Sequence, residues 1–297
     1  MVLLRISILA ITIAMMLGLV SAADCKTFTD ALGREVSLKG DPLRIIPLAP
    51  NLTEILFFLG LGDRVVGVTT HCTYPPEAAL LPKVGSYINI NVEKILSLSP
   101  DLVFATFDGN ARGTVELLEQ AGVKVFVVNP RTARQVIETT FTMGVVCGIQ
   151  DKASDLRQSL TKRVDRVVEK TRGRLEPLVF LQINVQPIIT VNRHTFHHDL
   201  IRLAGGRNMA AEESITYPRY SLEEVIRRNP EVILISSMER GGRFERARQD
   251  WLEFKSIPAV QHERVHLIDS DFIDRPAPRF IQGLDTMVRF IHPEVFK

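Results

Sequence analysis

Two Rossmann-like α/β lobes, joined by a single long backbone helix with a ligand cleft between them, are what this chain of 297 residues predicts. Three features carry that prediction. Short apolar runs alternate with helical patterns in two separate sets. An unbroken amphipathic stretch lies between the sets. A helix–proline–strand pattern occurs once in each set.

The chain opens on an export signal. Arg5 is the only charge before the uncharged run Ile6 to Ala23, and Ser21-Ala22-Ala23 supplies the small residues of a cleavage site. A run of this length also suits an uncleaved anchor. The polar Asp24-Cys25-Lys26 that follows at once favours cleavage. Lipidation of Cys25 is the weaker reading, because Asp24 stands where a lipoprotein signal has a small residue.

The first set runs from Arg44. Strands are predicted over Ile45–Leu48, Val65–Val68, Leu102–Ala105 and Val123–Val128, and helices over Thr53–Leu59, Val92–Leu98 and Thr114–Gln120. Gly60 and Gly122 stand where helix C-caps belong, and Pro100 stops the middle helix. Asp151 to Gly173 has no proline and no internal glycine. Its apolar residues Ala153, Leu156, Leu160, Val164, Val167 and Val168 fall in steps that give one continuous stripe. Such a stretch makes a rod of about 34 Å. The second set has strands over Leu178–Ile183, Val232–Ile235 and Val265–Ile268, with helices over Phe196–Ala204, Leu222–Arg228 and Pro278–Phe290. The expected division is a leader over 1–23, a first lobe over 24–150, an inter-lobe helix over 151–173 and a second lobe over 174–297.

The repeated pattern places Asn91-Val92-Glu93 ahead of Pro100-Asp101-Leu102, and Ser221-Leu222-Glu223 ahead of Pro230-Glu231-Val232. Glu93 and Glu223 thus occupy the same local setting, one per lobe, in a first helical turn. There an acid also simply complements the helix dipole. Glu224 is expected to complete a capping box with Ser221.

Composition excludes several classes. A net charge of +2 recommends neither nucleic acid nor an anionic membrane. Three cysteines do not form a disulfide scaffold; Cys72 and Cys147 either pair or are buried thiols. Gly60-Leu61-Gly62 follows a helix and not a strand, so it is no dinucleotide fingerprint. No phosphate-cradling glycine–lysine loop and no nucleophile elbow occurs, so no enzyme is expected and no catalytic residue is assigned. His194, His197 and His198 have helical spacing, but Thr195 reads as the N-cap and leaves His194 outside. No further cysteine or acid cluster completes a zinc set, so no metal site is expected. Of the three histidines, His194 is expected nearest the cleft edge.

From about Thr27 to Pro293 the chain resembles the helical-backbone class of periplasmic binding proteins that carry vitamin B12, iron–siderophores and haem, and most of all their vitamin B12-binding branch. The stretches that carry the resemblance are Arg44-Ile45-Ile46-Pro47-Leu48-Ala49-Pro50-Asn51-Leu52-Thr53-Glu54, Tyr74-Pro75-Pro76, Ala204-Gly205-Gly206-Arg207-Asn208 and Arg275-Pro276-Ala277-Pro278-Arg279. The resemblance implies a monomeric periplasmic carrier that delivers its solute to the permease of an ABC importer, docking through Glu93 and Glu223. It implies a cleft lined by His71, Tyr87, Tyr217, Phe272, Asp274 and Arg275, where His71 and Tyr217 replace larger aromatic residues of the family. The implied ligand is cobalamin or another corrinoid, carried as cargo and not as a catalytic cofactor. The alternatives are a siderophore or haem and, outside the class, a secreted α/β enzyme. His71 is either an axial ligand to a cargo metal or a hydrogen-bonding ring on the wall.

Overall fold

A computed structural model describes residues 25–237 and 242–296. The expected leader over 1–23 lies outside the described residues. The chain enters through an antiparallel hairpin that sequence patterning did not suggest, β1 (Cys25–Thr29) with β2 (Glu35–Lys39), whose Val36 and Leu38 pack into the first core.

The first sheet is parallel, in the order β3 (Ile45–Pro47), β4 (Leu102–Thr106), β5 (Val125–Val128). Around it come α1 (Pro50–Phe58), α2 (Pro76–Ala79), α3 (Val92–Ser97) and α4 (Arg112–Gln120). The strand expected over Val65–Val68 forms only isolated bridges. Val66 N–H bonds Ile45 while Val68 N–H bonds Pro82, so its hydrogen bonds divide between two partners and no ladder propagates.

The second sheet is also parallel, in the order β7 (Arg207–Asn208), β6 (Leu178–Gln182), β8 (Val232–Ser237), β9 (Val265–Asp269). Between the sheets in sequence run two helices, α5 (Ala133–Val146) and α6 (Gln150–Thr171). The second sheet is flanked by α7 (Phe196–Leu203), α8 (Leu222–Arg228), α9 (Arg243–Leu252), α10 (Pro258–Gln261), α11 (Ser270–Ile273) and α12 (Phe280–Ile291). Each strand-to-strand step on a parallel sheet needs such a crossover, which is why the two sets alternate as they do.

Helix α6 covers most of the stretch over 151–173, and its apolar stripe serves two cores. Ala153 packs with Leu52, Phe104 and Met143 in the first; Leu160, Val164 and Val167 pack with Leu181, Leu200 and Leu284 in the second. It does not run alone. Helix α5 lies antiparallel beside it, with Arg134 facing Asp165 at 3.4 Å and Glu138 facing Arg157 at 3.3 Å. Ala133, Val136 and Ile137 belong to the second core, and Met143 and Val146 to the first. The Asp199 carboxylate on α7 accepts the Ala133 N–H at 2.8 Å, fastening the start of α5 to the second sheet's helices. The two cores therefore share a pair of helices, and the first of these begins well before residue 150.

The pair packs closely at Gly144, where an added Cβ would sit 2.4 Å from Ala153 Cβ. Neither atom can rotate away, so Gly144→Ala must push the helices apart. Overpacking of this kind costs about 1–3 kcal/mol, against a gain of at most about 1 kcal/mol in helix propensity. The urea midpoint of Gly144→Ala is therefore expected below that of the wild type; an equal or higher midpoint would mean that the helices separate freely.

Cys72 and Cys147 are both buried in the first core as free thiols. Cys72 Sγ lies 3.0 Å from Thr53 Oγ1 and 3.1 Å from Thr69 Oγ1, and burial pushes the Cys147 thiol up to about 12. The pairing left open by the sequence does not form.

Candidate ligand cleft

The strand ends build a cleft of about 390 Å³ between the two sheets. The segments leaving β3, β4 and β5 at their carboxyl ends supply Asn51, Asp108 and Arg131. Opposite stand Phe196 and His197 at the start of α7, together with Tyr217, Asp274 and Arg275. Placement beyond the carboxyl ends of parallel strands is the usual site of ligands in such sheets.

Five of the six residues expected in the cleft line it: His71, Tyr87, Tyr217, Asp274 and Arg275. Phe272 lines an adjoining hollow of about 770 Å³, of which His71 and Arg275 also form part of the wall. Its ring packs partly against the second core, which turns it from the main cleft.

Tyr87 and Tyr217 come from the two sides and remain 39% and 45% exposed, so both offer ring surface to a ligand. The Tyr87 ring rests on Gly109, where a Cβ would meet it at 2.2 Å; a larger residue there would drive the ring into the cleft. Asn110 anchors this corner: it donates to Leu48 O (3.0 Å) and Tyr87 O (2.8 Å) and accepts from Thr106 N–H (2.8 Å). Its role passes through backbone groups, and nothing in local spacing marks it. Burial raises the Tyr217 phenol above its ordinary value, with the Asp108 charge next in effect, so Tyr217 stays neutral.

Asp274 is held at both oxygens, by His197 Nε2 at 2.9 Å and Ser236 Oγ at 2.8 Å. His197 Nδ1 is enclosed with no hydrogen-bond partner. It is His197, not His194, that reaches the cleft. Thr195 is the N-cap and accepts from His198 N–H at 3.3 Å. His197 thus sits in the first turn, where side chains lean back over the helix start. His194 stays in the preceding loop, its N–H bonded to the Asn192 side chain. His198 turns to Asn208, and burial lowers its affinity for a proton. Among the described residues no group of three His, Cys, Asp or Glu side chains could hold a metal ion.

The arginines of the cleft are already matched. Arg131 pairs with Asp108. Arg275 pairs with Glu54 and with Asp271, both at 2.9 Å. Glu54 also receives Arg279 Nε at 3.0 Å. Burial pushes the Glu54 carboxyl up, and the Arg275 hydrogen bond and the two arginine charges oppose that shift. His71 differs from these groups: its exposed ring has no hydrogen-bond partner among the described residues.

Glu93 and Glu223 are exposed in the first turns of α3 and α8. Each helix is capped alike, by Asn91 accepting from Lys94 N–H at 2.9 Å and by Ser221 accepting from Glu224 N–H at 3.2 Å. Each leads into an interior strand, β4 or β8. The Glu224 carboxylate does not close the capping box; Arg227 and Arg228 take it, because guanidinium partners outcompete a single backbone N–H. Glu223 instead accepts from its own backbone N–H and from the Ser221 hydroxyl, which hold its carboxyl below the usual range.

A family model described as periplasmic binding protein matches residues 45–272. An uncharacterized ABC transporter substrate-binding lipoprotein, YvrC of Bacillus subtilis (strain 168), is 34% identical over 278 residues, covering 91% of this chain and 87% of its own length. The vitamin B12-binding protein of Vibrio parahaemolyticus is 33% identical over 259 residues, covering 84% of this chain and 90% of its own. Among solved structures, the periplasmic heme-binding protein RhuT from Roseiflexus sp. RS-1 superposes with a TM-score of 0.75 at 26% identity, covering 87% of this chain and 100% of that one.

Proposed function

The chain belongs to the periplasmic binding protein family, and from that premise we propose that it captures cobalamin or a related corrinoid and hands it to the membrane permease of an ABC importer. It is an extracytoplasmic substrate-binding protein and not an enzyme. The leader over 1–23 is read as cleaved, in preference to acylation at Cys25, and the mature chain as a monomer of two lobes over 24–150 and 174–297 with the helix over 151–173 between them. Glu93 and Glu223 are read as the docking contacts. Among the described residues no helix is long and apolar enough to cross a membrane.

The ligand assignment is carried by the matched arginines of the cleft. Every arginine that lines it is already bonded to a carboxylate, while tyrosines from opposite sides offer ring surface. A corrinoid presents a broad macrocycle edged with neutral amides, which needs aromatic contact and hydrogen bonds but no free cation. Haem propionates and anionic siderophores would have to compete with Asp108, Glu54 and Asp271 for the arginines, and exchanging one charge partner for another gains little.

One observation keeps haem as a second reading. The unpartnered His71 imidazole suits an axial bond to iron as well as to cobalt. Titration separates the two. Cyanocobalamin is expected to bind with micromolar or tighter affinity by calorimetry, weakened about tenfold by Tyr217→Ala as stacking worth about 1.4 kcal/mol is lost. A flat cyanocobalamin titration, alongside a saturable haemin Soret shift that His71→Ala abolishes, would transfer the assignment to haem.

A further inference from the structure

A second tie between the lobes lies apart from the paired helices. Glu54 stands on α1 of the first lobe with its side chain only 2% exposed. Both of its carboxylate oxygens are taken by arginines of the second lobe: Oε1 by Arg275 Nη1 at 2.9 Å and Oε2 by Arg279 Nε at 3.0 Å. Asp271 on α11 balances the charge, 2.9 Å from Arg275 and 3.4 Å from Arg279. Two acids and two guanidiniums thus make a neutral cluster.

Packing reinforces it. The Arg279 guanidinium lies 3.7 Å from the ring centroid of Tyr74 in the first lobe and 5.0 Å from that of Phe272 in the second. Ala277, between the two arginines in sequence, is buried in the first core although its neighbours belong to the second lobe. The segment from Arg275 to Arg279 therefore crosses the interface and inserts into the opposite lobe.

We infer that Glu54, Asp271, Arg275 and Arg279 form a clamp that holds the lobes at one separation before any ligand arrives, and that positions the Arg275 guanidinium on the cleft wall. Parting the lobes here would strip a buried carboxylate of both its partners, which is strongly unfavourable. None of the clamp residues lies on α5 or α6, so lobe rotation about the helix pair must break the clamp first. Glu93 and Glu223 then keep a fixed spacing in the empty carrier. The inference rests on the two-lobe division read above but not on the identity of the ligand.

The test measures lobe separation without ligand. In the full chain with Cys25→Ser, spin labels at Lys94→Cys and Arg227→Cys place one probe on α3 and one on α8; Cys72 and Cys147 are buried. Pulsed dipolar spectroscopy is expected to give one narrow distance peak, and Glu54→Gln or Arg279→Met to broaden it about twofold or more as additional separations become populated. Distributions as narrow as the parent's in both variants, with circular dichroism unchanged, would overturn the clamp. If Glu54→Gln fails to fold, Arg279→Met alone decides, since it leaves the Arg275–Glu54 pair to support folding. Cyanocobalamin titration of the labelled parent reads the ligand assignment separately: no binding there with broadening in the variants would remove the corrinoid and keep the clamp.

Discussion

Changing Glu93 and Glu223 together to alanine is expected to abolish most ligand uptake while leaving affinity for the ligand within about twofold of the parent. Both carboxylates are exposed, and neither is among the residues of the cleft. At an importer surface, truncating one partner of a buried hydrogen-bonded charge pair costs about 2–5 kcal/mol. Two such contacts on a rigid body act bivalently, so losing both should weaken docking by at least about a hundredfold. If the glutamates only complement their helix dipoles, the same change would cost a few tenths of a kcal/mol in stability and nothing in transport. Uptake of labelled cyanocobalamin by cells carrying the double variant, set beside calorimetry on the purified protein, distinguishes the two. Uptake equal to the parent's would end the docking role.

Glu54→Ala is expected to lower the unfolding free energy by about 3 kcal/mol. Removing one partner of a buried pair costs about 3–5 kcal/mol because the remaining charge is left unmatched. The lower end applies here, since Arg275 and Arg279 keep 20% and 16% of their side-chain surface exposed and Asp271 remains to each. Replacing Glu54, Asp271, Arg275 and Arg279 together by apolar residues of similar volume should recover most of the loss, because the desolvation penalty disappears with the charges. Urea unfolding of both variants measures this. A loss under about 1 kcal/mol in Glu54→Ala would mean that water already reaches the cluster.

Much of the fold was legible because it follows from local periodicity. The stripe from Ala153 to Val168, the helix at Leu222–Arg228 and the strands from Leu102 and Val232 appear where their patterns place them, and the strand expected over Val123–Val128 forms over Val125–Val128. The misses have physical reasons. Helix α5 buries one face, but that face includes Thr140 and Gly144 while the apolar Phe141 and Val145 lie half-buried beside it, so the apolar stripe is blurred in the sequence. Val65–Val68 has the composition of a strand, but strand formation depends on a neighbour, and its hydrogen bonds are divided between two. In the cleft, the tyrosines, His71 and Asp274 were reachable through the family resemblance. His197 was misplaced because the choice between adjacent histidines depends on where the helix begins relative to the wall.

What the amino-acid sequence determined by itself is the alternation of strands and helices in two sets, the apolar stripe over Ala153–Val168 and the matched settings of Glu93 and Glu223. These depend on residues a few positions apart, whose relative placement the backbone geometry dictates. Only the tertiary structure decided which charges are free. Glu54 and Arg275 are 221 positions apart, and no spacing rule links them; the crossing of one segment between lobes brings them together and turns apparent ligand-binding cations into a matched internal cluster.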